Sequence, residues 1–399
     1  MNVMKIIYSM LKITWVVSLL LFFTAQLQAK VFIVRENGKG GAYQLIQDAV
    51  MDASQGDTIL IDGYSIDETI QLREGNNNLK FINIGANQSL LNFDIAVASQ
   101  FQNYSFENLK FTILFGTPGV GYKPNINVKV YNSNFSIVDN RQTSQVNVFI
   151  YNSIGNFQNV NPIDIIGSEL GYCTTGPIDQ DSLIIVGSKI STIYFNNKIK
   201  RYTYVSNSII GYGQSITNVG ASSGSITDNE IFTKLNGNVN ILNNYFYDDF
   251  FNRIIYGNLR NNNKINFYGN VFFSRNKPNL FNNNLEKNNL VFWYGATATY
   301  PNDSLNKYLS LLPPYLVPID SNFRIVGYDS LIIDQGPPEP QYSDVDLTRN
   351  DIGVYGGAFP FSNFWGPDRG KSKVVWVDIP KRIGMPNDKI LIKATGTSK

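Results

Sequence analysis

The chain has 399 residues, 43% of them hydrophobic and 16% charged, with 33 basic side chains against 31 acidic ones and a formal net charge of +2. It holds no histidine and one cysteine, Cys173, which excludes every Ser-His-Asp or Cys-His constellation, the commonest zinc ligand and any disulfide within the chain. A charge so low and so balanced gives no clustered basic footprint, so no nucleic-acid partner is expected.

In chain order, Lys5 and Lys12 come first, then an apolar run from Ile13 to Phe23, then Leu27 and Ala29 at positions that suit a signal-peptidase site. The run is shorter than the ~20 apolar residues that span a bilayer. Residues 1–29 therefore read as a removed secretory signal. The mature chain is expected to have no membrane span and to be secreted or held at the cell surface; a retained anchor is the alternative. Tyr43, Ile46, Ala49, Val50 and Ala53 then fall at helical spacing, and Gly56-Asp57 ends the pattern. This helix is expected to lie as a lid over an open core, with the first strand starting at Ile59.

The next 200 or so residues are punctuated by short apolar runs that close on a small polar residue and reopen, such as "IIGSEL" at Ile165, "IVGSKI" at Ile185, "VSNSII" at Val205 and "FYGNVF" at Phe267. Aligning Ser168, Ser188, Ser208 and Asn229 gives steps of 20, 20 and 21, followed by 15 to Asn244 and 26 to Asn270. A repeat of about twenty residues is too short for two helices, and its β-branched and aromatic content favours short strands joined by turns. The expected object is a solenoid of strands. Its asparagines suit left-handed corners and amide ladders between coils.

Histidine being absent, acid–base chemistry on a uronic-acid polymer would fall to Lys, Arg, Tyr or a carboxylate. The densest group begins at Tyr247. Arg253 and Arg275 are 22 residues apart, close to one coil, and are candidates for carboxylate neutraliser and base, with Asp248 and Asp249 as candidate calcium ligands. A surface ion-pair group among Asp248, Asp249 and Arg253 is the plainer account. Tyr247, Tyr256, Tyr268, Trp293 and Tyr294 are candidate outward rings for stacking on sugars, most of the phenylalanines being core.

The stretch "SDVDLTRNDIGVYGG" from Ser343 to Gly357 carries Asp344, Asp346, Asn350 and Asp351, hard oxygen donors that suit calcium. Against an EF-hand-like loop, Arg349 and Tyr355 stand where Gly and a bidentate Glu are needed. The competing account is a structural lock, with Arg349 paired to Asp334 or Asp344 and the glycines turning the chain back over the last coil. After it, residues 358–399 read as a bridge and a basic β-hairpin that closes the solenoid or attaches it to a cell-surface partner.

Two segments carry a resemblance. The stretch from Ala42 through "IQDAVMDASQGDTILIDG" resembles the leading segment of secreted right-handed parallel β-helix proteins of the pectate-lyase-like superfamily. Ser330, Ile333, Asp334 and Gly336, followed by Asp344, Asp346, Arg349, Asp351, Gly353 and Tyr355, resemble the closing motif of secreted bacterial members, with Leu347 where that pattern has Gly. The resemblance brackets residues 42–357 and marks fold and termini. It implies an all-β, single-stranded right-handed parallel β-helix, placed at residues 30–357, to which the residue patterns add the N-terminal helical cap and the C-terminal hairpin. It further implies an extracellular protein associated with polysaccharide. The leading reading is a non-catalytic surface protein that contacts polysaccharide; a lyase acting on an acidic glycan and a structural stalk or adhesin are the alternatives, between which fold alone does not choose.

Overall fold

A computed structural model describes residues 29–63, 67–72, 78–85, 90–95, 101–115, 125–140, 145–176, 180–194, 199–210, 238–247, 265–274, 286–293, 306–310, 319–339, 342–357, 360–365, 373–378 and 393–397. Along the chain, strands alternate between two sheets. Each sheet has twelve strands among the described residues, and every pairing within them is parallel. The first sheet runs from Val31–Val34 to Glu286–Lys287 and the second from Glu68–Leu72 to Lys307–Ser310. The protein is an all-β parallel β-solenoid.

The inward face follows from alternation. In Asn125–Tyr131, Ile126, Val128 and Val130 are buried, while Asn125, Asn127, Lys129 and Tyr131 point outward. The same period of two recurs in Asn134–Asp139 and Lys110–Phe115. Stacking identical coils puts like on like. Phe81 lies over Phe106 at 5.3 Å with rings 5° apart, and Phe273 over Phe292 at 5.4 Å and 9°. These offsets match the separation of about 4.8 Å between paired strands plus a small slip.

From Phe101–Glu107 onward, the described coils pass from the first sheet to the second through a two-residue corner. Its first residue is left-handed: Asn108, Asn132, Asn152, Gly167, Gly187, Asn207, Asn243, Gly269 and Asn288 all have φ between 46° and 66°. Asparagine and glycine tolerate that region where other side chains do not. The second corner residue points inward and bridges coils. The backbone N–H of Ser133 donates to Ser153 Oγ, Ser153 to Ser168, Ser168 to Ser188 and Ser188 to Ser208, at 3.1 to 3.2 Å. Asparagines then continue the series: Ser208 N–H to Asn244 Oδ1, Asn244 to Asn270, Asn270 to Asn289 and Asn289 to Asn306, at 2.9 to 3.1 Å.

This ladder corrects the repeat inferred from sequence. Ser208 meets Asn244, 36 positions on, and Ile209 pairs with Tyr245. Asn229 falls outside the described residues. The coil length is not constant either; ladder steps of 15, 20, 36, 26, 19 and 17 residues all close on the same corner. Hydrogen bonding at these corners and in the sheets keeps its register while the number of residues between rungs varies.

Near the start, the seven-residue helix Ile46–Asp52 buries Ile46, Ala49 and Val50 in the same core cluster as Val34 and Ile59. The backbone N–H groups of Ile46 and Gln47 donate to the Glu68 carboxylate at 3.0 and 2.8 Å, which supplies the helix start with the acceptor its own sequence lacks. Lys373–Asp378 and Lys393–Thr397 pair antiparallel as a separate two-stranded sheet. No helix among the described residues is long and apolar enough to cross a membrane.

Candidate functional site

Residues 319–365 double back along the outside of the corner column as a strap. Gln335 accepts from Asn288 Nδ2 at 3.1 Å and from Lys307 Nζ at 2.8 Å. Gly353 N–H donates to the Gly269 carbonyl at 2.6 Å, Asn207 Nδ2 donates to the carbonyls of Val354 and Gly356, and Trp365 Nε1 donates to the Gly187 carbonyl at 2.7 Å. Phe364 covers Gly167 and Gly187; a Cβ on Gly187 would lie 2.0 Å from its ring. The strap therefore spans successive coils along their edge, where the sequence suggested closure over the last one.

Its cover explains a burial pattern. Ile154, Glu169, Lys189, Ile209, Tyr245, Val271 and Leu290 stack in one outward column of the second sheet. Ile209, Tyr245, Val271 and Leu290 are buried against Ile352 and Val354, whereas Ile154, beyond the strap's reach, is 45% exposed. Packing of this kind continues past Gly357 to Phe361, Phe364 and Trp365, where Lys189 Nζ sits 4.0 Å from the Trp365 ring centroid.

The acidic motif holds the strap's two halves together. Asp344 accepts the N–H groups of Asp351, at 3.1 Å, and of Gly357. Asp351 Oδ1 accepts the Asp334 N–H at 2.8 Å, and Asp346 Oδ1 accepts both the N–H and the hydroxyl of Thr348. Asn350 contributes its carbonyl to the Gly336 N–H at 2.6 Å. Arg349 Nε donates to the Gly336 carbonyl at 2.8 Å, correcting the expected ion pair with Asp334 or Asp344. Burial pushes the Asp344 carboxyl up to about 6, with Asp351 and Asp346 adding to the rise and the N–H donors opposing it. Burial also raises Asp351.

A calcium ion would need six to eight oxygens turned toward one centre. Here the carboxylates of Asp344, Asp346 and Asp351 face backbone N–H groups. Asn350 Oδ1, buried with no partner, is a single oxygen and not a shell. Among the described residues no group of three or more Asp, Glu or Cys side chains is placed to hold a metal ion. As placed, the oxygens of Asp344, Asp346, Asn350 and Asp351 do not converge on one centre, and the N–H groups that the aspartates accept tie segments of the strap together.

The described surface with the strongest ligand chemistry lies on the outward face of the first sheet. One column there runs Lys80, Ser105, Lys129, Phe149, Asp164, Ile184, Tyr204 across successive coils, and its neighbour runs Glu107, Tyr131, Tyr151, Ile166, Val186. Tyr131 and Tyr151 stack at 5.0 Å with rings 9° apart. Tyr151 donates its hydroxyl to Asp164 Oδ2 at 2.7 Å. Burial raises the Asp164 carboxyl above its ordinary range, opposed by the Tyr151 hydrogen bond and the Lys129 charge. The Tyr131 hydroxyl is raised by burial and by the carboxylates of Glu107 and Asp164. Glu107 pairs with Lys80 at 3.2 Å. On one side Phe364 and Trp365 wall the cluster. On the other an amide row links Asn78, Asn103, Asn127 and Asn147 at 2.6 to 3.0 Å.

None of these face residues was singled out from sequence. The available signal was the pair "VKVYNSNF" and "VFIYNSIGNF", twenty residues apart, whose outward positions place Lys129 with Phe149 and Tyr131 with Tyr151. Of the expected site residues, Asp248, Asp249, Arg253, Tyr256, Arg275 and Tyr294 lie outside the described residues, as do the side chains of Tyr247 and Trp293. Tyr268 is 8% exposed with its ring edge-on to Tyr342 at 5.5 Å. The strap covers it, so it is not the open stacking platform expected.

No protein-family model matches the sequence, and no curated protein matches it. Among solved structures the chain is similar to the one described as "Crystal structure of pectate lyase Pel9A", at 14% identity and a TM-score of 0.33, with 84% of this chain and 98% of that chain covered. The fold assignment rests on the strand registers above, and the site is read from its own residues.

Proposed function

We propose that this chain is an extracellular β-solenoid that holds polysaccharide on the outward face of its first sheet, without cleaving it. The observation that carries the reading is the half-buried Tyr131 ring, stacked on the buried Tyr151 whose hydroxyl is held by the Asp164 carboxylate. The open part of the Tyr131 ring presents apolar area to the C–H face of a pyranose, and the nearby Asp164 carboxylate supplies a directional partner for its hydroxyls. Residues 1–29 act as the secretory signal, 30–357 hold the solenoid and most of the strap that runs along it, and 358–399 serve as a terminal bridge and hairpin.

Affinity electrophoresis through gels containing soluble polysaccharides tests this. Retardation is expected, and is expected to be lost in Tyr131→Ala. In parallel, acidic polysaccharides incubated with the protein are expected to yield no ultraviolet absorbance from unsaturated uronides. Appearance of that absorbance, and its loss in Arg275→Ala, would establish the lyase alternative in place of this one. Neither retardation nor product would leave the stalk reading.

A further inference from the structure

We propose that the core holds a buried water site shared by Gln102 and Tyr104, an inference independent of the polysaccharide reading. Both residues belong to the strand Phe101–Glu107 and alternate with Asn103 and Ser105, so they share its inward face with Phe106. Each is 1% exposed. The Gln102 Nε2 and Oε1 and the Tyr104 hydroxyl oxygen are all buried, and none of the three has a hydrogen-bond partner among the described residues. The described walls offer none. Tyr104 lies between Leu79 and Val128 of the adjoining coils, and Gln102 lies beside Ile126. Across the core, the Phe93 and Phe111 rings pack against Phe106. Burial raises the Tyr104 hydroxyl above its ordinary range, with no charged neighbour contributing. Buried polar atoms left unpaired are destabilising, and three of them together in an apolar core mark a place that a further molecule completes.

The three atoms select the occupant. Oε1 accepts, Nε2 donates and the hydroxyl does either, so the molecule held between them must both donate and accept. A metal cation would need a shell of oxygens, of which two neutral ones are too few, and an anion would be repelled by Oε1. Water meets the requirement at the right size. Side chains two positions apart on one strand are rooted about 6.8 Å from each other, and a water with bonds of about 2.8 Å on either side spans about 5.6 Å. It accepts from the Tyr104 hydroxyl or from Nε2 and donates to Oε1. The corner ladder has no such need, because each N–H there finds the hydroxyl of the next coil. Gln102 has only Ile126 and then Val146 after it in its column.

A crystal structure of the full chain, at a resolution that shows ordered water, tests the site directly. Density is expected within about 3 Å of both a Gln102 amide atom and the Tyr104 hydroxyl. Urea unfolding of Tyr104→Phe, Gln102→Leu and the double variant tests it in solution, with circular dichroism confirming the fold of each. Either single change strips the water of a partner, so each is expected to lower the midpoint, and the double variant to lose less than the two losses summed. A dry interior, water touching only one of the two residues, or a direct bond from the Tyr104 hydroxyl to Gln102 overturns the inference. An unchanged or raised midpoint in either single variant also overturns it, because that is the result where an unpaired buried polar atom is replaced by an apolar one. Losses that simply add overturn the sharing of one water.

Discussion

The Oγ of Ser188 accepts the backbone N–H of Ser168 at 3.2 Å and donates its own proton to the Val186 carbonyl at 3.0 Å. One hydroxyl thus satisfies a buried donor of the preceding coil and a carbonyl of its own. Both residues are fully buried, so no water can take over either role.

Replacing Ser188 with alanine leaves the Ser168 N–H buried and unpaired. The expected loss is about 1–3 kcal/mol, read as a lower urea midpoint with unchanged slope. A midpoint equal to that of the parent chain would mean that the ladder contributes nothing beyond geometry. Asparagine fills the same role from Asn244 onward, adding an Nδ2 donor to the Leu242 carbonyl at 2.9 Å.

Leu347 occupies the left-handed region at φ 68° and is 85% exposed. A leucine there carries a backbone cost of ~1–2 kcal/mol without any burial to offset it. Leu347→Gly relieves the strain but frees the unfolded chain, so a net stabilisation of about 0.5–1 kcal/mol is expected. Thermal unfolding measures it. A lower melting temperature would show that the leucine side chain makes a contact worth more than its strain.

Asp344 is protonated more readily in the folded chain than in the unfolded one, its carboxyl standing at about 6. The native state therefore binds more protons than the unfolded state between the ordinary aspartate value of about 4 and that higher value. The group's contribution is full at the acidic end of this window and is lost as pH rises through about 6. Relative to Asp344→Asn, the parent chain is expected to lose stability across that window and to show no further difference above it. Stability lost by the parent chain, relative to Asp344→Asn, as pH falls through the window would mean that the carboxylate form is the one the strap prefers.

The sequence alone determined how each coil is made. Alternating apolar residues such as Ile126, Val128 and Val130 specify one inward face, because side chains on a strand point to opposite sides in turn. Asn-Ser, Gly-Ser and Asn-Asn pairs specify the corners, because few other residues enter the left-handed region cheaply. The two elements of the closing motif were also legible, and they meet, with Asp351 Oδ1 on the Asp334 N–H.

Only the tertiary structure decided which coil lies on which. Ser208 meets Asn244, 36 positions on, because ladder partners are chosen by strand register and not by spacing along the chain. The same stacking assembled Lys129, Phe149 and Asp164, from three separate strands, into one outward column, and it turned the aspartates of the motif onto backbone N–H groups. A side chain's inward or outward direction is a local property of its strand. Its neighbours are set by parallel pairing between segments whose connecting loops vary in length, and local pattern carries no record of that pairing.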